Sequence, residues 1–290
     1  MTLNEYQLQA GATDAQEISK SSNLSVLLLG LAGETGSLLT LYKKWLRDGD
    51  AYQIVGDRLS EEMGDILWYL AAIARRRGLS LEEIASANLE KTASRWLEQE
   101  SKPLFDEGRE PSECLPRVFV AELRDETDAE GRSVMRMYFN GEGLGAKLTD
   151  NSRDSDGYRF HDLFHLSLAA NLGWSPVIRA LLKKKRKSDA RLDEIEDGGR
   201  AIAIEEGIAA LIFTYASQHS MLEGVQTIDW GVLRTCSAMA AGLEVSQISL
   251  FTWEKAILSA FNAWREAILH GSVRVRGDLM CRRLEFEPLD

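Results

Sequence analysis

The sequence is poor in cysteine, with three in 290 residues. Cys114, Cys236 and Cys281 lie far apart. An odd number at such spacing excludes a disulfide framework and a zinc knuckle, which favours a reducing, cytoplasmic location. The five prolines and the lack of low-complexity tracts argue against long disorder. The start, MTLNEYQLQA, lacks the basic and apolar blocks of a signal peptide, and no apolar run approaches the roughly 18 residues that span a bilayer, so no membrane contact is predicted.

The chain has few positive charges: its 34 Lys and Arg residues are outnumbered by 45 Asp and Glu residues, which gives a net charge of −11. That balance disfavours DNA or RNA as the main partner. It leaves a small phosphorylated ligand open, because a bound cation reverses the local potential. Hydrophobic residues make up 44% of the chain, enough for a core, and the length suits one large domain or two modest ones.

Helix signals dominate the first hundred residues, where apolar side chains recur at spacings of three and four. Four helices joined by short turns are predicted: one from the capping box of Thr2 and Glu5, one from Ser22 to Arg47, one from about Leu59 to Arg77, and one from the capping box of Ser80 and Glu83 to about Leu97. This pattern predicts a mainly α fold.

The remainder of the chain mixes strand and helix signals. RVFVAEL and SVMRMYF flank the turn-rich TDAEGR and predict a β-hairpin, which SVRVR and RRLEFE of the tail are expected to join in a small sheet. KKKRK at 183–187 is typical of a solvated helix end. The predicted divisions are a helical domain at 1–105, a linker at 106–116 within the polar Ser101–Pro116, a hairpin and loop at 117–157, a second helical domain at 158–271 and a β-like tail at 272–290.

Two parts of the chain resemble each other. GLSLEEIASANLEK, from Gly78, and GLEVSQISLFTWEK, from Gly242, share Gly, Leu, Ile and a final Glu-Lys at equal spacing. Upstream of these, SEEMGDILWYLA resembles IEEGIAALIFTYA. The order is the same in both halves, so the second helical domain is predicted to be a degenerate copy of the first. The alternative is that two amphipathic helices look alike by chance.

The most informative residues are acids on apolar helix faces. Glu34 lies between Leu31 and Leu38 at helical spacing, and Glu62 and Asp65 lie one turn apart on the next helix. Ionised carboxylates on an inward face are costly, and neighbouring like charges add to the cost. Mg²⁺, which prefers oxygen ligands, removes both problems. The pattern therefore predicts a metal site, with solvated carboxylates as the alternative.

At these residues the chain resembles the MazG-like, all-α nucleoside triphosphate pyrophosphohydrolases. The resemblance covers roughly Thr2 to Trp96 and rests on NEYQ, GLAGETGSLLTLYKKWLRDG, EEMGDILWYLA and GLSLEEIASANLEKTASR. The family pattern is Glu-x-x-Glu on one helix and Glu-x-x-Asp on a later one. The pair Glu62–Asp65 matches the second half of the pattern, whereas Ser37 replaces the second acid of the first. The resemblance implies a four-helix bundle whose helices usually pair between subunits.

The resemblance also implies Mg²⁺-dependent hydrolysis of a nucleoside triphosphate to the monophosphate and pyrophosphate, with Mn²⁺ as an alternative ion. Glu34, Glu62 and Asp65 would hold the metal, and Glu61 or Glu62 would accept a proton from the attacking water. The candidate substrate-binding residues are Lys43, Lys44, Asn88, Lys91, Arg95 and Trp68. Solvated helix ends and, for Trp68, core packing are the alternatives. The expected partners are a nucleotide and a second copy, or an intrachain pseudo-dimer; a nucleotide-sensing or interaction module is the alternative function.

The second half carries its own candidate ligands. His161 and His165 are four apart, so they share one helix face, as a metal site requires. With Asp162, Glu205 and Glu206 they form a second candidate site, of phosphohydrolase type and for a softer metal. Two alternatives remain: a decayed copy that serves as a built-in dimer partner, or histidines that satisfy buried hydrogen bonds.

Overall fold

The chain folds as two compact units, Met1–Ala93 and Ser94–Asp290. The computed structural model describes four stretches of chain, residues 1–14, 24–49, 56–97 and 102–289. The predicted start of the second helix at Ser22 and the start of the polar segment at Ser101 lie outside them. Helices make up most of the described residues and a five-stranded sheet the rest of the regular structure, which confirms a mainly α protein.

The first unit is helical. Its helices are α1 (Leu3–Gly11), α2 (Leu24–Asp48), α3 (Gly56–Arg76) and α4 (Leu81–Trp96), of which the last turn belongs to the second unit. The capping box predicted for α1 is confirmed: the Glu5 N–H donates to the Thr2 hydroxyl at 3.1 Å, and the Thr2 N–H donates to the Glu5 carboxylate at 2.7 Å. The Trp68 indole N–H donates to the Thr13 hydroxyl at 2.7 Å, which helps to fix α3 against the end of α1.

The four-helix bundle is not confirmed within one chain. Helices α2 and α3 pack along each other and α1 packs on α3, but among the described residues α4 does not pack along α2 or α3. Its start is tied to α1, since the Leu81 N–H donates to the Gln7 side chain at 2.7 Å. Ile84 and Leu89 of α4 are 46% and 69% exposed, because no described element covers its apolar face.

Helix α2 presents an apolar face to solvent. Leu29, Leu39 and Leu46 are 72%, 62% and 64% exposed. By length and composition α2 is sufficient to cross a membrane, although core helices and signal sequences meet the same test. This corrects the expectation that no apolar segment reaches that length: Glu34 interrupts the run, but the average over the helix stays apolar.

The second unit joins helices to an antiparallel sheet. Its helices are α5 (Asp162–Leu172), α6 (Pro176–Leu181), α7 (Ala190–Ile195), α8 (Gly199–Ser217), α9 (Trp230–Met239) and α10 (Leu250–His270). Its strands are β1 (Val118–Thr127), β2 (Ser133–Phe139), β3 (Glu142–Leu148), β4 (Ser272–Asp278) and β5 (Arg283–Pro288). The strand order is β3-β2-β1-β4-β5, so the predicted pairing of the hairpin with the tail is confirmed. Leu123 of β1 lies opposite both Met137 and Val273, and this face packs against α5 and α10.

Helix α5 lies in the centre of the second unit. Every one of its residues is buried, and it packs against α10. A helix surrounded by protein has no solvated face for polar side chains. Its Asp162 and His165 must therefore find partners inside the protein.

The polar segment predicted as a linker packs into the second unit over residues 102–116. Asp106 is 1% exposed, and its carboxylate accepts from Arg179 at 2.7 Å, from Arg117 at 2.6 Å and from the Leu115 N–H at 2.8 Å. Burial opposes its ionisation, but the charge of Arg179 and the hydrogen bonds hold the pKa of Asp106 below its ordinary value. At Asp106, the segment is thus held by a buried arginine rather than by water.

The basic run KKKRK is not wholly a solvated helix end. Arg186 is fully buried and donates to both oxygens of Asp197, at 2.8 and 3.1 Å, and to both oxygens of Glu244, at 2.8 and 2.9 Å. The two carboxylates raise the pKa of Arg186 against the opposing effect of burial. One residue of the run is thus the centre of a buried ion-pair network.

The structure does not confirm the predicted duplication. Helix α4 begins three residues after Gly78, whereas α10 begins eight residues after Gly242. A 3₁₀ turn, Glu244–Gln247, occupies the intervening positions, and α9 lies between α8 and Gly242. The matching letters therefore occupy different structural positions, and the copy stays a prediction.

Candidate metal centres and nucleotide site

Helices α2 and α3 run antiparallel. The 25 residues of α2 span about 37 Å, whereas the seven residues from Gly49 to Val55 reach at most about 25 Å. A parallel pair packed along its length would need a longer connection. The helices come into close contact where Gly30 faces Tyr69, because a Cβ at position 30 would overlap the Tyr69 ring. Glycine at this position permits that approach.

This contact sets the register of the predicted acidic residues. Glu34 lies one turn after Gly30, and Asp65 lies one turn before Tyr69, so in an antiparallel pair the two acids lie at the same level. Glu62 follows one turn further along α3. Glu34 and Glu62 are half-buried, whereas Asp65 is exposed. The acids predicted from the sequence thus lie at neighbouring levels of the contact between α2 and α3.

These acids have no cationic partners among the residues that the structure describes. Within the described part of the chain, the side chains of Glu34, Glu61, Glu62 and Asp65 make no hydrogen bond or ion pair. Tyr6 of α1 lies near them: burial and then the charge of Asp65 raise the pKa of its hydroxyl. Unpaired carboxylates on adjacent helix turns are the donors that a hard divalent cation prefers, so the residues fit Mg²⁺ in type.

The acids do not form a closed cage in one chain. Among the described residues, three ligand atoms of His, Cys, Asp or Glu come within 4.8 Å of one another only at His161, His165 and Glu206. Binding of one cation by Glu34, Glu62 and Asp65 would require their side chains to turn toward one another. Metal binding by the three acids stays a prediction.

The predicted substrate contacts fall into separate places. Lys43, Asn88 and Lys91 are exposed and Lys44 is half-buried. Because α4 does not pack along α2 or α3, Asn88 and Lys91 are not gathered with the acids by helix packing within one chain. Trp68 packs beside the small apolar cluster of α1 and α3 and uses its indole N–H on Thr13, which favours the core-packing alternative.

Arg95 is a correction to the predicted substrate site. It is 5% exposed, and its guanidinium donates to Glu254 at 2.9 Å and to the Ile228 carbonyl at 3.0 Å. It also lies over the rings of Trp96 and Trp230, at 4.6 and 5.6 Å from their centroids. Its position on α4 follows the predicted stripe, but its donors bind a carboxylate of α10 instead of facing solvent.

The second cluster lies where the start of α5 meets α8. His165 is fully buried, and its Nδ1 lies 2.8 Å from Glu205 Oε1 and its Nε2 3.5 Å from Glu206 Oε2. His161, in the turn before α5, lies with its Nε2 3.7 Å from Asp162 Oδ1. The structure thus brings all five predicted residues of the second site together.

The carboxylates of this cluster favour positive charge at the His165 imidazole. Burial lowers the pKa of His165, but Glu205, Glu206 and Asp162 together raise it to about 10. The nearby His165 lowers the pKa of Glu206, whereas burial raises that of Asp162. A proton or a metal ion on the ring nitrogen supplies the positive charge that these acids favour.

Three side chains near the two sites were not identified from the sequence. Tyr6 lies beside Asp65, and its only signal is its place in the NEYQ motif. Ser175 donates to Glu205 at 2.7 Å. The Tyr158 ring stacks on His161 with centroids 4.6 Å apart. Ser175 and Tyr158 contact residues brought near by the turns around α5, which helical periodicity does not reveal.

Comparison with known proteins assigns the chain to a family. Residues 23–97 match the model of the MazG nucleotide pyrophosphohydrolase domain, and residues 100–290 match that of the MazG C-terminal domain. The Gene 37 protein of Mycobacterium phage L5 is 35% identical over 101 residues, which cover 33% of this chain and 89% of the phage protein. No solved structure matches significantly. The chain belongs to the MazG family, with a MazG domain followed by a MazG C-terminal domain.

Proposed function

We propose that the first unit hydrolyses a ribo- or deoxyribonucleoside triphosphate to its monophosphate and pyrophosphate in the presence of Mg²⁺. The observation that carries the proposal is the group of acids at the contact of α2 and α3 that have no partner among the described residues, within the segment that matches the MazG nucleotide pyrophosphohydrolase domain. Arginine or lysine partners would have given these acids a structural role instead. A nucleotide that brings its own cation offers them the missing positive charge.

The residues have separable roles in this reaction. Glu34, Glu62 and Asp65 would hold the ion, which neutralises phosphate oxygens and acidifies water when it is bound, and Mn²⁺ would serve as an alternative. Glu61 is exposed and has no partner among the described residues, so it is able to accept the proton of the attacking water. The base and sugar of the substrate are not specified by these contacts.

We also propose that two copies of the chain pair through the apolar face of α2. Leu29, Leu39 and Leu46 are each more than half exposed, and a patch of this kind is covered in solution by a partner. An adjacent copy would place Asn88 and Lys91 of its α4 within reach of the acids. A second copy is favoured over a bilayer, because Glu34 lies within the same helix and would be costly in hydrocarbon.

The reaction is tested with a panel of NTPs and dNTPs and Mg²⁺, by measuring pyrophosphate release and identifying the monophosphate. We expect turnover of at least one substrate, and its loss by at least about 100-fold in Glu62→Gln and Asp65→Asn. Glu83→Gln, an exposed acid of α4, is the control and should keep full activity. Failure of folded, metal-supplied protein to hydrolyse any of the panel contradicts the proposal.

Pairing is tested by complementation. Analytical ultracentrifugation of the full chain should give the mass of a dimer, and Leu29→Asp should give a monomer. We expect the Glu62→Gln and Lys91→Ala variants to be inactive when each is expressed alone. Co-expression of the two should recover part of the activity, because one of the two sites in a mixed dimer then contains both Glu62 and Lys91. A monomeric wild type, or no recovery in a mixed dimer, contradicts a site shared between copies.

A second candidate function is nucleotide binding without turnover. Ser37 lies one turn after Glu34 and is half-buried where the family pattern has a carboxylate. One fewer anionic ligand weakens cation binding. Saturable nucleotide binding in calorimetry, with no product formed over the same time, would favour this alternative.

A further inference from the structure

His161, His165 and Glu206 of the second unit form a compact group of ligand atoms. One atom from each lies within 4.8 Å of the others. The two histidines come from the start of α5, one turn apart, and Glu206 comes from α8. The group is separate from the acids of the first unit and does not depend on the proposed hydrolysis.

Hydrogen bonds fix the same tautomer in both imidazoles. His161 Nδ1 lies 2.9 Å from the Tyr158 carbonyl oxygen, which only accepts, so Nδ1 carries the hydrogen. His165 Nδ1 lies 2.8 Å from Glu205 Oε1 and donates in the same way. In the neutral rings each Nε2 therefore presents a lone pair, and at His165 this atom faces Glu206.

The spacing of the free atoms suits a shared ion. His165 Nε2 is buried without a hydrogen-bond partner and lies 3.5 Å from Glu206 Oε2. Two ligands of one tetrahedral zinc ion lie about 3.3 Å apart, because each lies about 2.0–2.1 Å from the metal. Asp162 Oδ1 lies 3.7 Å from His161 Nε2 and is available as a further donor.

Glu205 belongs to the layer that orients these ligands. Its Oε1 accepts from Ser175 at 2.7 Å as well as from His165, and its Oε2 accepts from the Val177 N–H at 2.8 Å. Because both of its carboxylate oxygens accept these hydrogen bonds, Glu205 is held in place and does not turn toward Glu206. A carboxylate that holds Nδ1–H while Nε2 binds metal is the usual outer layer of a histidine metal site.

We infer that His161, His165 and Glu206 bind a divalent transition-metal ion of the Zn²⁺ type. Two imidazole nitrogens and one carboxylate favour Zn²⁺, Co²⁺ or Fe²⁺ over Mg²⁺, which prefers oxygen ligands. The Glu206 side chain is 43% exposed whereas that of His165 is fully buried, so the ion enters from the Glu206 side. Three protein ligands leave a position for water or for Asp162.

The test uses Co²⁺ as a spectroscopic probe on the full chain, in excess Mg²⁺ to occupy the acids of the first unit. Tetrahedral Co²⁺ with imidazole ligands gives visible absorption bands, and Zn²⁺ should displace them at one equivalent. We expect Glu206→Gln and His161→Gln to weaken binding at least about 100-fold, and Glu205→Gln, in the outer layer, to weaken it roughly 10- to 100-fold.

The matched control is His270→Gln. His270 contacts Glu266 at 3.4 Å on the exposed side of α10, so it also belongs to a histidine–glutamate pair but has no second histidine. This variant should bind Co²⁺ and Zn²⁺ as the wild type does. Because Glu206 is partly exposed, Glu206→Gln should fold normally, as checked by thermal unfolding without metal.

Two results would overturn the inference. One is that the wild type binds neither Co²⁺ nor Zn²⁺ in excess Mg²⁺; His165 would then be a protonated imidazole between two carboxylates. The other is that folded Glu206→Gln and the wild type bind with equal affinity, which would place the ion elsewhere. Neither result affects the proposed hydrolysis, because pyrophosphate release is measured independently with Mg²⁺.

Discussion

Replacing Asp197 with asparagine isolates the contribution of one buried charge. The Asp197 carboxylate accepts from the Arg186 side chain at 2.8 and 3.1 Å and from the Arg186 N–H at 2.7 Å, and both residues are fully buried. An asparagine of nearly the same shape keeps one acceptor oxygen and turns an NH₂ toward a guanidinium that only donates. The change therefore leaves part of a buried cation uncompensated.

The size of the effect follows from what remains. Removing one partner of a buried ion pair costs about 3–5 kcal/mol. Glu244 still binds Arg186 at 2.8 and 2.9 Å, so we expect the lower end, about 3 kcal/mol in the free energy of unfolding. With a urea m-value of about 3 kcal/mol/M, the unfolding midpoint should fall by about 1 M.

The assay is urea unfolding followed by tryptophan fluorescence, since Trp174 and Trp253 are buried in the second unit. Glu194→Gln is the matched control. Glu194 lies three residues before Asp197, and its side chain is exposed and has no partner among the described residues. Its effect should stay within about 0.5 kcal/mol. Equal midpoints for the two variants would refute the stabilising role of the network.

Three further predictions follow from the packing, the charges and the family pattern. Gly30→Ala should lower the free energy of unfolding by about 1–3 kcal/mol, because the added Cβ meets the Tyr69 ring. Gly33→Ala, at a position with open space around it, should instead raise the free energy of unfolding by up to about 1 kcal/mol. Equal effects of the two substitutions in chemical denaturation would contradict the close approach. Asp106→Asn should be less stable than the wild type at neutral pH, and the difference in the free energy of unfolding should shrink as the pH falls below about 4. The pKa of Asp106 is lower in the folded than in the unfolded protein, so its charge stabilises the fold above the unfolded pKa, and this stabilisation is lost as the folded form takes up a proton. A difference that does not depend on pH would argue against an ionised Asp106. Ser37→Glu should tighten Mg²⁺ binding roughly tenfold in calorimetry, and an equal gain in Gly36→Glu would reduce the effect to general electrostatics.

Local pattern predicted much of the fold. The hairpin and tail strands were predicted because their alternation and turn residues lie within a few positions of each other, and the observed sheet confirms their pairing. The spacing of His161 and His165 predicted a shared face for the same reason. The choice of Glu205 rather than Glu206 as the partner of His165 Nδ1 was not predictable in this way. It depends on Ser175 and Val177, which donate to Glu205 from a separate turn.

Long-range pairing was the part that periodicity did not predict. Arg95 was predicted to bind substrate with Asn88 and Lys91, but its partner Glu254 lies 159 residues later in the chain. Arg186 looked like one more cation in a basic run, although it is fully buried between Asp197 and Glu244. A short stretch of sequence contains the arginine but not the distant acid that pairs with it. Because a charge is buried only where it has such a partner, local sequence does not predict that these arginines are buried.

The two groups of acids solve the same electrostatic problem differently. In the second unit Glu205 is saturated by donors of its own chain and fixes His165, so that site has its geometry before any ion binds. In the first unit Glu34, Glu62 and Asp65 have no such donors among the described residues, and their geometry depends on what the site binds. Under the proposed hydrolysis, a cation that arrives with the triphosphate would reach these acids without first breaking an ion pair of the protein.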